Sequence, residues 1–145
     1  MKLWRVSPAR SLEQASRAHG AGRWSWASRD VLYTSSTPEL AVLEALAHRT
    51  EKPVAHWLCL VELPGVGSGP RLDDLPGDWR VQQALTRRLG NAWYDDLRSP
   101  VLLVPSAVCE EATNVLVNPR HPRARSLRMT VLRRFDFDRR LTRGS

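Results

Sequence analysis

The sequence predicts an α/β or α+β fold: a β-sheet, expected to be mixed, flanked by helices. Two observations carry that prediction. Short apolar runs of strand length are interspersed along the chain with stretches of helical periodicity. Capping residues and glycines punctuate those stretches, so helices and strands intermix rather than segregate. The length, 145 residues, suits one domain, expected over residues 1–141, with 142–145 as a tail. A chain of this size buries roughly 70% of the surface it exposes when unfolded, and so needs no disulfide or metal staple.

The elements follow in order. Lys2–Val6 alternates and predicts a first strand. Ser11–Ala18 predicts a short helix capped by Ser11, with Gly20 just past its end. Gly20–Ser25 is a loop with two glycines and a bulky Trp24, and Val31–Thr34 is a second strand. Then comes the clearest helix signal: Thr37 as N-cap, Pro38 at the first helical position and Glu39 in the first turn. Leu40, Leu43 and Ala47 predict its buried stripe, over a helix from about Pro38 to Arg49. Ala55–Leu63 predicts a strand. Pro64–Gly77, with four glycines and three prolines, predicts a long loop. A helix is expected from Trp79 to Leu89 with Gly90 as its stop. Val101–Val104, Val115–Val117 and Met129–Phe135 complete the strands.

Composition narrows the function class. Apolar residues are 42% and charged residues 26%, a globular balance. No apolar run approaches the roughly 20 residues that span a bilayer, and the first residues lack a signal-peptide core. A cytoplasmic protein with no membrane partner is the expectation. Cys59 and Cys109 each sit in apolar surroundings and are expected to be buried thiols. His48 and His56 are eight apart and His19 is isolated, so no metal site is expected. The net charge is +7, and nine arginines face two aspartates between Arg120 and Arg143. No helix-turn-helix, zinc finger or aromatic RNP motif accompanies that charge, so direct nucleic-acid binding is not expected.

Four residues stand out chemically. Glu44 lies within the apolar stripe of the helix from Pro38, and a carboxylate there is costly unless paired. A salt bridge or an edge position would explain it as well as a reaction would. Arg23 sits between a glycine loop and Trp24, where a guanidinium can grip phosphate or carboxylate oxygens, or simply face solvent. Tyr33 ends a strand and is either core or ligand contact. Ser106 follows Val104-Pro105 with no GxSxG around it, which argues against a serine hydrolase.

These pieces together resemble a known family. Gly22-Arg23-Trp24-Ser25, Val31-Leu32-Tyr33-Thr34-Ser35 and Leu40-Ala41-Val42-Leu43-Glu44-Ala45-Leu46-Ala47-His48 resemble the N-terminal core of the RES-domain toxins. Trp57-Leu58, Leu103–Val108, Asn114–Pro122 and Phe135–Leu141 resemble later family segments in the same order. The loop at Ser25-Trp26-Ala27 departs from the family pattern. The resemblance implies an ADP-ribosyltransferase-like sheet core and breakdown of NAD by hydrolysis or phosphorolysis, with no metal. It also implies a small Xre-like antitoxin that covers the active site. Carried over, the family's Arg is Arg23, its Tyr is Tyr33, its Glu is Glu44 and its Ser is Ser106. Arg5, Trp24 and Ser35 are expected to add NAD contacts.

The chemistry suits these residue types. Breaking the nicotinamide–ribose bond builds positive charge on the ribose, while nicotinamide leaves neutral and needs no general acid. One carboxylate, Glu44, can stabilise that charge. Arg23 would hold the pyrophosphate, Tyr33 would stack on nicotinamide or wall the ribose pocket, and Ser106 would touch the ligand or fix Glu44. Two alternatives share part of this picture. One is a mono-ADP-ribosyltransferase acting on a cellular protein at the same site. The other is a non-enzymatic basic module acting through Arg120–Arg143.

Overall fold

The computed structural model describes residues 1–17 and 21–143. The chain runs β1 (Lys2–Ser7), α1 (Leu12–Ser16), β2 (Leu32–Ser35), α2 (Pro38–Ala47), β3 (His56–Glu62), α3 (Gln83–Asp96), β4 (Val101–Pro105), β5 (Thr113–Val117), a 3-10 turn (Pro122–Ala124), β6 (Arg128–Phe135) and α4 (Arg139–Thr142). The six strands form one sheet in the order β4-β5-β2-β1-β3-β6. The class is α+β, as expected. The sheet, expected to be mixed, is antiparallel at all of its neighbouring pairs. Among the described residues, a parallel pairing occurs as an isolated bridge between Arg71 and Leu103. The expected tail from residue 142 overlaps α4. Ala18, His19, Gly20, Gly144 and Ser145, named in the sequence reading, lie outside the described residues.

Strand periodicity sorts the side chains onto two faces. One face of the sheet, with Leu3, Leu32, Val61, Val101, Val115 and Val117, packs on Ala15 of α1 and on Leu63, Val66 and Ala124. The other face carries two separate cores. Leu102, Val104 and Leu116 pack with Trp24, Trp79 and Trp93. Val6 packs with Ala41 and Ala45 of α2. Full burial of residues such as Leu32 and Leu116 contributes about 1.5–3 kcal/mol each. Between these two cores the sheet is weakly joined. Strands β1 and β2 meet at one position, Trp4 opposite Ser35. Every other neighbouring pair runs in register over at least four positions.

Three local expectations change. In α2 the buried residues are Leu40, Ala41 and Ala45, while Leu43 is 43% exposed and Ala47 is exposed. Apolar residues nearly encircle this helix, so periodicity alone does not choose the buried arc. The sheet selects the alanines, whose small side chains permit close approach. The second correction concerns α3, which starts at Gln83 and runs through Gly90 to Asp96. Gly90 is a packing residue rather than a stop: a Cβ there would collide with the carbonyl oxygen of Trp24. A mid-helix glycine costs about 1 kcal/mol relative to alanine, and here it admits a loop backbone against the helix. Third, Cys59 is buried as expected but Cys109 is exposed. Cys109 lies in the β4–β5 connection, where neighbouring Val108 is also exposed; an apolar triplet outside a strand has no face to bury.

Candidate active site

Helix α2 places Glu44 over the seam between the two cores. Its start is set as the sequence predicts: Thr37 accepts a hydrogen bond from Leu40 N at 3.2 Å, and Pro38 opens the first turn. Glu44 Oε1 accepts hydrogen bonds from Ser106 Oγ and from Asn114 Nδ2, both at 2.7 Å. Ser106 has no exposed surface. Its Oγ also accepts from Val108 N (3.1 Å) and Cys109 N (3.2 Å) in the turn after β4. Ser35 Oγ donates to Asn114 Oδ1 at 2.8 Å. The carboxylate is therefore held by neutral donors rather than by an arginine, which removes the salt-bridge explanation of its placement.

Arg5 crosses the weak seam. Its Nη1 donates to Tyr33 O at 2.8 Å and its Nε to Ser7 Oγ at 3.1 Å. Burial pushes its pKa below the usual arginine value, yet an arginine stays charged under any ordinary condition. Among the described residues no carboxylate forms an ion pair with it. A partly buried cation without a counter-charge suits an anionic ligand.

The loop carrying Arg23 is tied down at many points. Gly22 N donates to Ser25 O at 2.9 Å. Trp24 N donates to the Tyr33 hydroxyl at 3.2 Å, and that hydroxyl bonds Ser25 Oγ at 2.7 Å. Thr86 Oγ1 and Arg87 Nε of α3 donate to the carbonyls of Arg23 (2.6 Å) and Gly22 (2.8 Å). Gly22 is required by the approach of Tyr33, since a Cβ would collide with the phenol oxygen. Burial raises the Tyr33 pKa, so the phenol keeps its proton. Arg23 itself reaches Arg80 O at 2.6 Å and lies over the Trp79 ring, 5.7 Å from its centroid. A guanidinium has five donors, so this bond leaves others for a ligand.

The predicted residues converge on one open cleft of about 1490 Å³. Arg5, Arg23, Trp24, Tyr33, Ser35 and Glu44 line it, and so does Asn114. Ser106 donates to Glu44 and is not among the residues that line the cleft. Trp24 is only 3% exposed and stacks on Trp79 at 5.7 Å, so its ring is mainly core. The Ser35 hydroxyl is directed to Asn114, not outward. Asn114 was not singled out from sequence. The available signal was an amide in Thr113–Val117, a strand whose last three residues are all buried. Among the described residues there is no group of three or more His, Cys, Asp or Glu that could hold a metal. No described helix is long and apolar enough to cross a membrane.

Comparison with known proteins places this architecture. The chain is 39% identical over 135 residues to Toxin Res of Pseudomonas putida, covering 90% of this chain and 93% of that protein. It is 29% identical to the Prs ADP-ribosylating toxin of a Sphingobium species, over 97% of this chain and 96% of that one. Its fold matches a chain in the crystal structure of the M. tuberculosis MbcT–MbcA toxin–antitoxin complex, with a TM-score of 0.66. That match covers 97% of this chain and 85% of the other at 16% identity, and so speaks for the fold alone. Residues 2–139 match the RES domain, and the chain therefore belongs to the RES-domain family, the family of the Res toxins.

Proposed function

We propose that this protein is a toxin that cleaves the nicotinamide–ribose bond of NAD in the cleft between its two cores. The observation that carries the reading is a clamped carboxylate, Glu44, sharing one cleft with two arginines, Arg5 and Arg23, that form no ion pair with a carboxylate among the described residues. A dinucleotide needs both features: cationic donors for its pyrophosphate and a fixed negative charge beside the ribose that becomes oxocarbenium-like. The cleft exceeds the roughly 300–1,000 Å³ of small-ligand pockets, which leaves room for two nucleotide halves. Glu44 would stabilise the ribose charge, with Ser106 holding it. Arg23 and Arg5 would hold the phosphates. Tyr33 would wall the pocket with its ring while its hydroxyl latches the Arg23 loop.

Water or phosphate would accept the ribose carbon in this reading. A second reading is favoured by one relative's name, the Prs ADP-ribosylating toxin: the same site would pass ADP-ribose to a protein side chain. Incubating the purified protein with NAD, with and without phosphate, separates these outcomes. Nicotinamide with free ADP-ribose indicates hydrolysis, and nicotinamide with a phosphorylated ADP-ribose indicates phosphorolysis. Labelled protein bands in a lysate given labelled NAD indicate transfer. No nicotinamide release in any arm would sink the reading.

An Xre-like antitoxin covering this cleft completes the proposal. A toxin–antitoxin complex of the same fold supports an antitoxin partner. The excess of arginine in the C-terminal region, beyond those paired within the chain, suits an acidic partner. There Arg128 pairs with Glu62 and Arg140 with Asp138, while Arg125 is exposed. Charge reversal at Arg125 and Arg128 is expected to weaken antitoxin binding in a pull-down; unchanged binding would place the contact elsewhere.

A further inference from the structure

We infer that Asn114 is the positioning residue that decides which oxygen of Glu44 meets the ligand, an inference that rests on the reading of Glu44 as the reacting carboxylate. The argument starts from donor and acceptor counting. The Ser106 hydroxyl has one proton and two acceptor lone pairs. Val108 N and Cys109 N occupy the acceptors, so its proton goes to Glu44 Oε1. Asn114 supplies the second donor to the same oxygen. The amide's orientation is set by Glu44, an acceptor only, while the Ser35 hydroxyl anchors the far end of the amide by donating to Oδ1. A flipped amide would set Oδ1 against Oε1, acceptor against acceptor, and would face Ser35 with its NH2 group. Ser35 thus donates to Asn114, and Asn114 and Ser106 both donate to Glu44, so bonds from β2, β5 and the turn after β4 converge on the carboxylate of α2.

The consequence is asymmetry in the carboxylate. Oε1 is saturated by two protein donors, while Oε2 takes no hydrogen bond from the described residues. Oε2 is the oxygen left for the ribose. Ser106 alone would leave the carboxylate free to pivot about the Oε1 contact. A second donor, from β5, reaches the same oxygen from another element and restrains that pivot, and pre-set charge is worth most in a site that need not reorganise. Both donors of the clamp, Ser106 and Asn114, are neutral, so no cation within it competes with the ligand.

Two variants test this. Asn114→Asp keeps the acceptor for Ser35 but faces Oε1 with an oxygen instead of an N–H. We expect kcat for nicotinamide release to fall about 10²-fold, with KM for NAD within about 3-fold. Ser35→Ala removes the anchor at the amide's Oδ1 and is expected to cost a smaller factor, about 3–10-fold in kcat. A purely structural role would lower Tm without separating kcat from KM. A kcat for Asn114→Asp within 3-fold of wild type would overturn the inference. A crystal structure of Asn114→Leu supplies the arm that needs no activity: Glu44 is expected to leave its present position or occupy more than one. Glu44 found unmoved, with the same Ser106 bond, overturns the inference as well. If the wild-type protein releases no nicotinamide, the NAD reading fails, and the crystal structure alone then decides the role of Asn114.

Discussion

The two walls of the cleft are built by opposite means. On the Glu44 wall, one side chain is held by two others, drawn from the turn after β4 and from β5. On the Arg23 wall, a stretch of backbone is held by side chains from β2 and α3: Tyr33, Thr86 and Arg87. The first arrangement fixes a charge to one position and offers no substitute if a partner is lost. The second spreads its support over several bonds while its functional side chain projects onto Trp79 and Arg80. The carboxylate wall therefore fixes a charged group directly, and the arginine wall braces the backbone from which the cation projects.

Substitutions that break each wall sharpen this contrast. The largest effect is expected for Glu44→Gln, which removes the negative charge while retaining the shape: turnover of NAD falls at least about 10²–10³-fold. NAD binding by calorimetry remains measurable, and near-wild-type NAD loss would dismiss Glu44 from the chemistry. Gly90→Ala attacks the braced wall from behind by driving a methyl into the Trp24 carbonyl. It is expected to cost about 1–3 kcal/mol, or roughly 3–10 °C in Tm by calorimetry; an unchanged melt would mean that loop and helix separate freely. Arg23→Ala is expected to raise the KM for NAD several-fold with a smaller change in kcat. Unaltered NAD affinity would shift the phosphate role to Arg5. Tyr33→Phe removes the latch to Trp24 N and Ser25 Oγ, at about 1–2 kcal/mol of stability, and raises KM in the same direction as Arg23→Ala.

The smallest effect is a pH dependence. Burial raises the pKa of both Tyr33 and Tyr94 above the ordinary phenol value of 10.0. Above that pH the unfolded chain loses these protons before the folded one does, so stability falls as pH rises. Their contribution is fully present below pH 10 and disappears as pH climbs through the folded values. A Tm that is flat from pH 9 to 11 in the wild type would contradict it.

Much of the molecule was legible locally. The Thr37-Pro38-Glu39 start of α2, the Ser11 cap of α1 and the strand positions follow from near-neighbour chemistry, and the structure reproduces them within a few residues. Errors arose where a local pattern admitted two partners. Gly90 has the residue type of a helix stop, yet its role depends on a loop more than sixty positions earlier. Leu43 has the spacing of a buried residue, yet the sheet chose Ala41 and Ala45. Cys109 has apolar neighbours but no strand beneath it.

By itself, the sequence determined the residue types of the candidate site, their order along the chain and a fold that mixes helices with a sheet, because capping, alternation and motif order are local properties; the antiparallel pairing came from the tertiary structure. Tertiary structure alone decided what each side chain does. It bonded Ser106 to Glu44, buried Trp24, and tied the Tyr33 hydroxyl to the loop that carries Arg23. It also recruited Asn114, separated from Glu44 by seventy positions. Hydrogen bonds between side chains depend on distances of about 3 Å between strands and helices that are remote in sequence. No periodicity encodes such distances; they arise when α2 settles on the sheet beside the weak seam between β1 and β2.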